Sequence, residues 1–90
     1  MAVVWLAEAR ADLARIFEFN HERSEAYAIR VENRLLARGQ ALGRAPFMGA
    51  PLGGSGLRRL SIPDIQYVLI YGVDHQDIII FRVHSTREDW

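Results

Sequence analysis

The residues best equipped for chemistry gather in the last third of this 90-residue chain. His84 stands three positions before Arg87 in "VHSTREDW", and the pair Arg58-Arg59 stands upstream in "GLRRLSI". A histidine can take or give a proton near neutral pH, and an arginine can grip a carboxylate or phosphate through two parallel hydrogen bonds. All eleven cations are arginine, so Schiff-base and lysine acid–base chemistry are excluded. No cysteine is present, which removes disulfides and thiol nucleophiles. His21 and His75 have no second ligand at suitable spacing, so neither a metal nor any other cofactor is expected. "GGSG" lacks the lysine and following helix of a phosphate loop and reads as a flexible connection.

Each candidate has a plain alternative. His84 is either a proton acceptor or polar contact at a working edge, or a strand-end histidine bonded to backbone. Arg87 either meets a target or pairs with Glu88 or Asp89. Trp90 either packs back on the sheet or anchors an interface. Arg59 is expected to face outward and to be the better partner-binding arginine. Arg58 is expected beside the helix-facing row, paired with a helix carboxylate such as Glu18.

Size and charge narrow the function classes. A chain this short makes one domain, over residues 1–90, and buries only about 60% of its unfolded surface, so a stabilising partner is expected. Formal net charge is zero, which argues against a protein whose main work is coating nucleic acid. No signal peptide is read at the N-terminus, and the longest apolar runs are strand-sized, so a cytoplasmic protein with no membrane contact is expected.

The positioning elements follow from periodicity. "AVVWL" reads as a first strand at residues 2–5. In "AEARADLARIFEFN", Ala9, Leu13, Ile16, Phe17 and Asn20 recur at intervals of three and four, the mark of an amphipathic helix. Ser24 caps a second helix with Glu25 in its first turn and Ala28, Val31, Leu35 and Leu42 as its stripe. Pro46 and the glycines at 49, 53, 54 and 56 mark a loop. Three strands follow, in "LRRLSI", "IQYVLIYGV" and "DIIIFRVHS", the last two as a hairpin. The expected fold is α+β, in the order β-α-α-β-β-β, with a helical hairpin on one face of a mostly antiparallel sheet.

Strict alternation along the strands predicts an exposed face. Ile79, Phe81 and Val83 share one side of the last strand, and Ile78, Ile80, Arg82 and His84 the other. Val68 and Ile70 oppose Tyr67, Leu69, Tyr71 and Val73. Two helices cover one face only, so Val68, Ile70, Ile78 and Ile80 are expected to lie bare beside Arg59, Arg82 and His84, unless the sheet curls and the loop at 46–56 covers them. Such an apolar patch marks a protein interface.

Taken together, "VVWLAEARADLARIFEF", "GLRRLSI", "YVLIYGV" and "IIIFRVHSTRED" resemble the RelE/ParE superfamily of small toxins from type II toxin–antitoxin systems, over roughly residues 3–89. That resemblance implies the same helical hairpin on an antiparallel sheet, and one of two activities, unless the chain is an inactive member kept as an interaction module. RelE-like members cut messenger RNA on the ribosome with lysines, a mid-strand arginine, a late arginine and a late tyrosine or histidine. Here lysine is absent and the mid-strand position holds Val68, so only His84, Arg87 and Arg59 remain as a degenerate catalytic set. ParE-like members lack the nuclease residues and poison DNA gyrase, with the last strand and tail implicated; "VHSTREDW" resembles their ending. The resemblance therefore implies a gyrase inhibitor rather than an enzyme, with a cognate ParD-like antitoxin of the ribbon-helix-helix type. DNA would be met only through that antitoxin. Contacts to target or antitoxin are expected at Arg59, Val68, Ile70, Ile78, Ile80, Arg82, His84, Arg87 and Trp90.

Overall fold

The computed structural model describes residues 1–87. Strand β1 (Ala2–Trp5) leads into helix α1 (Ala7–His21), a short turn and helix α2 (Glu25–Ala41). Strands β2 (Ala50–Pro51), β3 (Arg58–Ile62), β4 (Tyr67–Asp74) and β5 (Asp77–Ser85) complete the sheet, whose order is β1-β5-β4-β3-β2. All neighbours run antiparallel except β1 and β5, which are parallel. The α+β arrangement is the expected one. β2 is an addition, a two-residue pairing of the glycine-rich loop with β3.

Local chemistry accounts for the punctuation. Ser24 accepts a hydrogen bond from the Tyr27 amide at 3.2 Å, closing the α2 N-terminus as its sequence position suggests. The β4–β5 hairpin turns through His75 at φ 53°, a left-handed setting that histidine tolerates better than most residues. The core lies between the helices and one sheet face, with Val31, Leu35, Leu60, Leu69 and Tyr71 at its centre. Trp5 packs against it, close over Gly39 of α2, where a side chain would collide with the indole. Among the described residues no helix is long and apolar enough to cross a membrane.

One irregularity corrects the parity argument. Ile70 pairs with Arg82 but Tyr71 pairs with Ile80, so Phe81 has no partner across the ladder and forms a β-bulge. A single extra residue reverses which side chains face the helices. Ile78 and Ile80, expected on the bare face, are instead wholly buried in the core beside Tyr71 and Val73. Val83, beyond the bulge, points to the core as well.

The opposite face is also less bare than alternation suggests. Val68 and Ile70 are only 1% and 5% exposed. They sit on the central strand, flanked in register by Ser61 and His84 and by Arg59 and Arg82. Leu57 and Phe81 close over Gly72 on this side, at 3.5 and 3.3 Å from the place a Cβ would occupy. The expectation of a broad apolar docking face over Val68, Ile70, Ile78 and Ile80 is thus wrong: two lie under the helices and two are hemmed in by their neighbours.

Candidate functional site

The far half of β5 is where polar chemistry concentrates. β1 ends opposite Ile80, with the Leu6 amide bonding the Ile80 carbonyl at 3.0 Å. Beyond that point no strand among the described residues lies on the outer side of β5. A carboxylate takes over: Asp12 of α1 accepts the Val83 amide at 2.9 Å and the Arg82 guanidinium at 2.8 and 3.1 Å. Arg15 adds a 2.7 Å bond one helical turn away. Asp12 is only 3% exposed. Burial pushes its carboxyl pKa up, but the hydrogen bonds from Arg82, Val83 and Arg15 outweigh that and hold it below the ordinary value. Arg82, which its register places opposite the helices, thus reaches round the strand edge to α1. The predicted contact residue is part of an internal clasp.

A second polar organiser sits at the other side of the sheet. The fully buried Tyr71 donates its hydroxyl to the Pro46 carbonyl at 2.8 Å and accepts from the Gly49 amide at 2.9 Å. Arg58 donates to the Gly49 carbonyl at 2.6 Å and lies 4.9 Å over the Phe47 ring. It therefore tethers the loop before β2 and does not pair with Glu18. Arg59 is exposed, as expected, on the face away from the helices.

Next to the clasp, α1 and the ends of β4 and β5 enclose a groove of about 460 Å³. Ile16 and Phe19 lie one turn apart on α1, and Arg23 follows a further turn along. Arg15 belongs to the same wall. Tyr67 and Ser85, a cross-strand pair, and Arg87 form the other side. The Asn20 amide donates to the Tyr67 hydroxyl at 3.2 Å and to the Ile16 carbonyl at 2.9 Å, fixing the floor. The turn after β5 is set by Thr86, whose amide and hydroxyl both donate to the Gln66 carbonyl, and by the Arg87 amide bonding the Ser85 hydroxyl. Arg87 is thereby held at the groove mouth.

The structure does not assemble the degenerate catalytic set. Arg59 and His84 share the face away from the helices, separated by β4, whereas Arg87 lines the groove on the helix side. His84 is half-buried. Trp90 lies outside the described residues. Among the described residues no group of three or more His, Asp or Glu could hold a metal.

Sequence reasoning missed Asp12, Arg15, Phe19 and Arg23. Signals existed for two of them. Asp12 falls on the buried stripe between Ala9 and Ile16, where a carboxylate needs cationic partners. Phe17 and Phe19 are two residues apart and cannot share a helix face, so one had to be left outside; Phe19 is 58% exposed.

Comparison with known proteins agrees with this architecture. No curated protein matches the chain. Among solved structures, a chain of the chromosomal ParDE system from P. aeruginosa superposes with a TM-score of 0.87 at 21% identity, over 97% of each chain. A chain of the RelBE2 toxin–antitoxin complex from Mycobacterium tuberculosis superposes with a TM-score of 0.73 at 23% identity, over 93% of this chain and 95% of that one. At these identities the likeness establishes the fold. Residues 3–90 match the family described as the ParE toxin of type II toxin–antitoxin systems, parDE. With that match over nearly its whole length, the chain belongs to the ParE toxin family.

Proposed function

We propose that this toxin inhibits DNA gyrase by protein–protein contact in the cytoplasm, and that a cognate ParD-like antitoxin of the ribbon-helix-helix type neutralises it. The carrying observation is that the residues a ribonuclease would need do not converge. Cutting RNA through its 2′-hydroxyl requires a base, an acid and cations around one phosphate. This chain has no lysine, and a buried Val68 stands at mid-strand. Arg82 is engaged by Asp12, and Arg87 lies on a different side from Arg59 and His84. A protein that acts by contact has no need of such a constellation. The similar solved structures come from toxin–antitoxin systems, which supports an antitoxin partner.

Controlled expression of the chain without a partner tests this reading. The expected result is growth arrest with a DNA-damage response and trapped, cleaved DNA, while messenger RNA stays intact. Cuts in translated messages that disappear in His84→Ala would replace it with the ribonuclease reading. Normal growth at high expression would mean that the chain is inert.

A further inference from the structure

We infer that the loop tip of Phe47 and Met48, with the arginines around it, binds single-stranded nucleic acid without regard to sequence or sugar. One unpaired base stacks on the Phe47 ring while neighbouring phosphates meet Arg38, Arg44 and Arg59. The tip shares no residue with the groove, and the inference does not depend on the gyrase reading. It runs against the expectation that DNA is met only through an antitoxin.

Charge is the first argument. The zero net charge conceals a division along the chain. Residues 33 to 63 contain Arg34, Arg38, Arg44, Arg58 and Arg59 and neither Asp nor Glu, while the other six arginines share the rest of the chain with all eleven acids. Folding gathers four of those five about one loop. The Arg38 guanidinium donates to the Met48 sulfur at 3.3 Å, and the Arg58 guanidinium lies 4.9 Å over the Phe47 ring. Arg59 pairs in register with Ala50, and Arg44 stands three residues before Phe47. Asp64, the next acid along the chain, is engaged by Arg34 at 2.9 Å. On the strand side, Asp74 and Asp77 pair with each other at the β4–β5 turn, three positions beyond the Tyr71 that partners Arg58. A cluster of one sign attracts a polyanion locally, whatever the total charge.

Presentation is the second. Phe47 is 66% exposed and Met48 39%, yet the backbone beneath them is fixed from inside the fold. The Tyr71 hydroxyl bridges Pro46 and Gly49, and Arg58 holds the Gly49 carbonyl. A Cβ at Gly49 would lie 2.7 Å from the Tyr71 ring, so only glycine lets the loop sit this close. A bulky ring displayed on a fixed loop has little ordering cost left when it binds.

The ring's surroundings choose the ligand. Arg58 lies over one face of Phe47, which leaves the other for a planar partner. An unpaired base is planar and brings its phosphates with it. A duplex keeps its base faces stacked inside and offers the tip only phosphates. An acidic peptide satisfies the arginines but its carboxylate side chains bring no apolar plane to the ring. The Pro46 and Gly49 carbonyls are already engaged, which favours stacking and charge over readout of base edges or of a 2′-hydroxyl.

The test is a fluorescence-anisotropy titration of the full chain into a labelled thymidine strand of about twelve nucleotides. With three phosphates contacted, affinity should fall about twentyfold between about 50 and 200 mM salt. Phe47→Ala should weaken binding about tenfold with that salt dependence unchanged, and Phe47→Trp should restore it. Arg44→Gln and Arg59→Gln, at exposed positions, should each weaken binding and flatten the salt dependence. A strand of abasic sites should bind the native chain and Phe47→Ala equally. A uridine strand should bind within about threefold of the thymidine one. Equal affinity for a duplex of the same length, unchanged binding in Phe47→Ala, displacement by polyglutamate as readily as by thymidine strand, or a clear preference for either sugar would overturn the inference. Growth assays separate it from the proposed function: arrest without strand binding removes the tip assignment alone, and strand binding without arrest removes the toxin activity alone.

Discussion

The two halves of β5 solve the same problem differently. Up to Ile80 the strand is covered on its outer edge by β1 and buries Ile78 and Ile80 beneath the helices. After the bulge at Phe81 no strand among the described residues pairs the outer edge, and a single carboxylate, Asp12, satisfies the Val83 amide. The first half is held by apolar burial, which is non-directional and tolerant. The second is held by a charge-assisted network, which depends on every member being present. The second half and the turn beyond it border the arginine-lined groove.

Breaking each half should give different signatures. Ile80→Ala removes a wholly buried side chain packed against Trp5 and Gly39, and should cost about 4 kcal/mol in chemical denaturation. Phe81→Ala, at the half-buried bulge, should cost less than half as much. Equal losses would show that the bulge residue is as much a core element as its neighbour.

Asp12→Ala should cost about 3 kcal/mol, because it leaves the buried Val83 amide without its acceptor and breaks the contact that draws Arg82 against the helix. Local hydrogen exchange at Val83 should quicken while exchange at Ile78 changes little, which global destabilisation would not produce. The exposed Arg34–Asp64 pair, at 2.9 Å, is the control. Arg34→Ala should leave the denaturation midpoint unmoved, since solvent screens such pairs.

The smallest effect is a pH slope. Because the folded protein holds the Asp12 carboxyl below its ordinary value of 3.8, the unfolded chain binds this proton more readily. Its stabilisation is therefore complete above about pH 4 and is lost as pH falls through the folded value. Stability measured from pH 5 downward should decline more steeply in the native sequence than in Asp12→Asn. Parallel curves would mean that the clasp does not depend on ionisation.

The sequence was most legible where the rule is local. Ser24 announces the start of α2 because a capping hydroxyl acts on an amide three residues away. The helical stripes and the β4–β5 hairpin were readable for the same reason, and the chain of resemblances in order along the sequence pointed to the family. Arg59 on the outer face followed from simple alternation. Alternation failed at Phe81, since a bulge arises from the fit between two strands and leaves no mark on the composition of one. It misassigned Ile78 and Ile80, and with them the docking face.

What the amino-acid order determined by itself was which elements form and in what sequence, because propensity, capping and periodicity act over a few residues. Tertiary structure alone decided which distant residues meet at the clasp and the groove. Asp12 and Val83 are 71 positions apart, and the groove draws its arginines from both α1 and the turn after β5. Contacts across such distances depend on how strand register and helix placement close together, and neither is written in any local stretch.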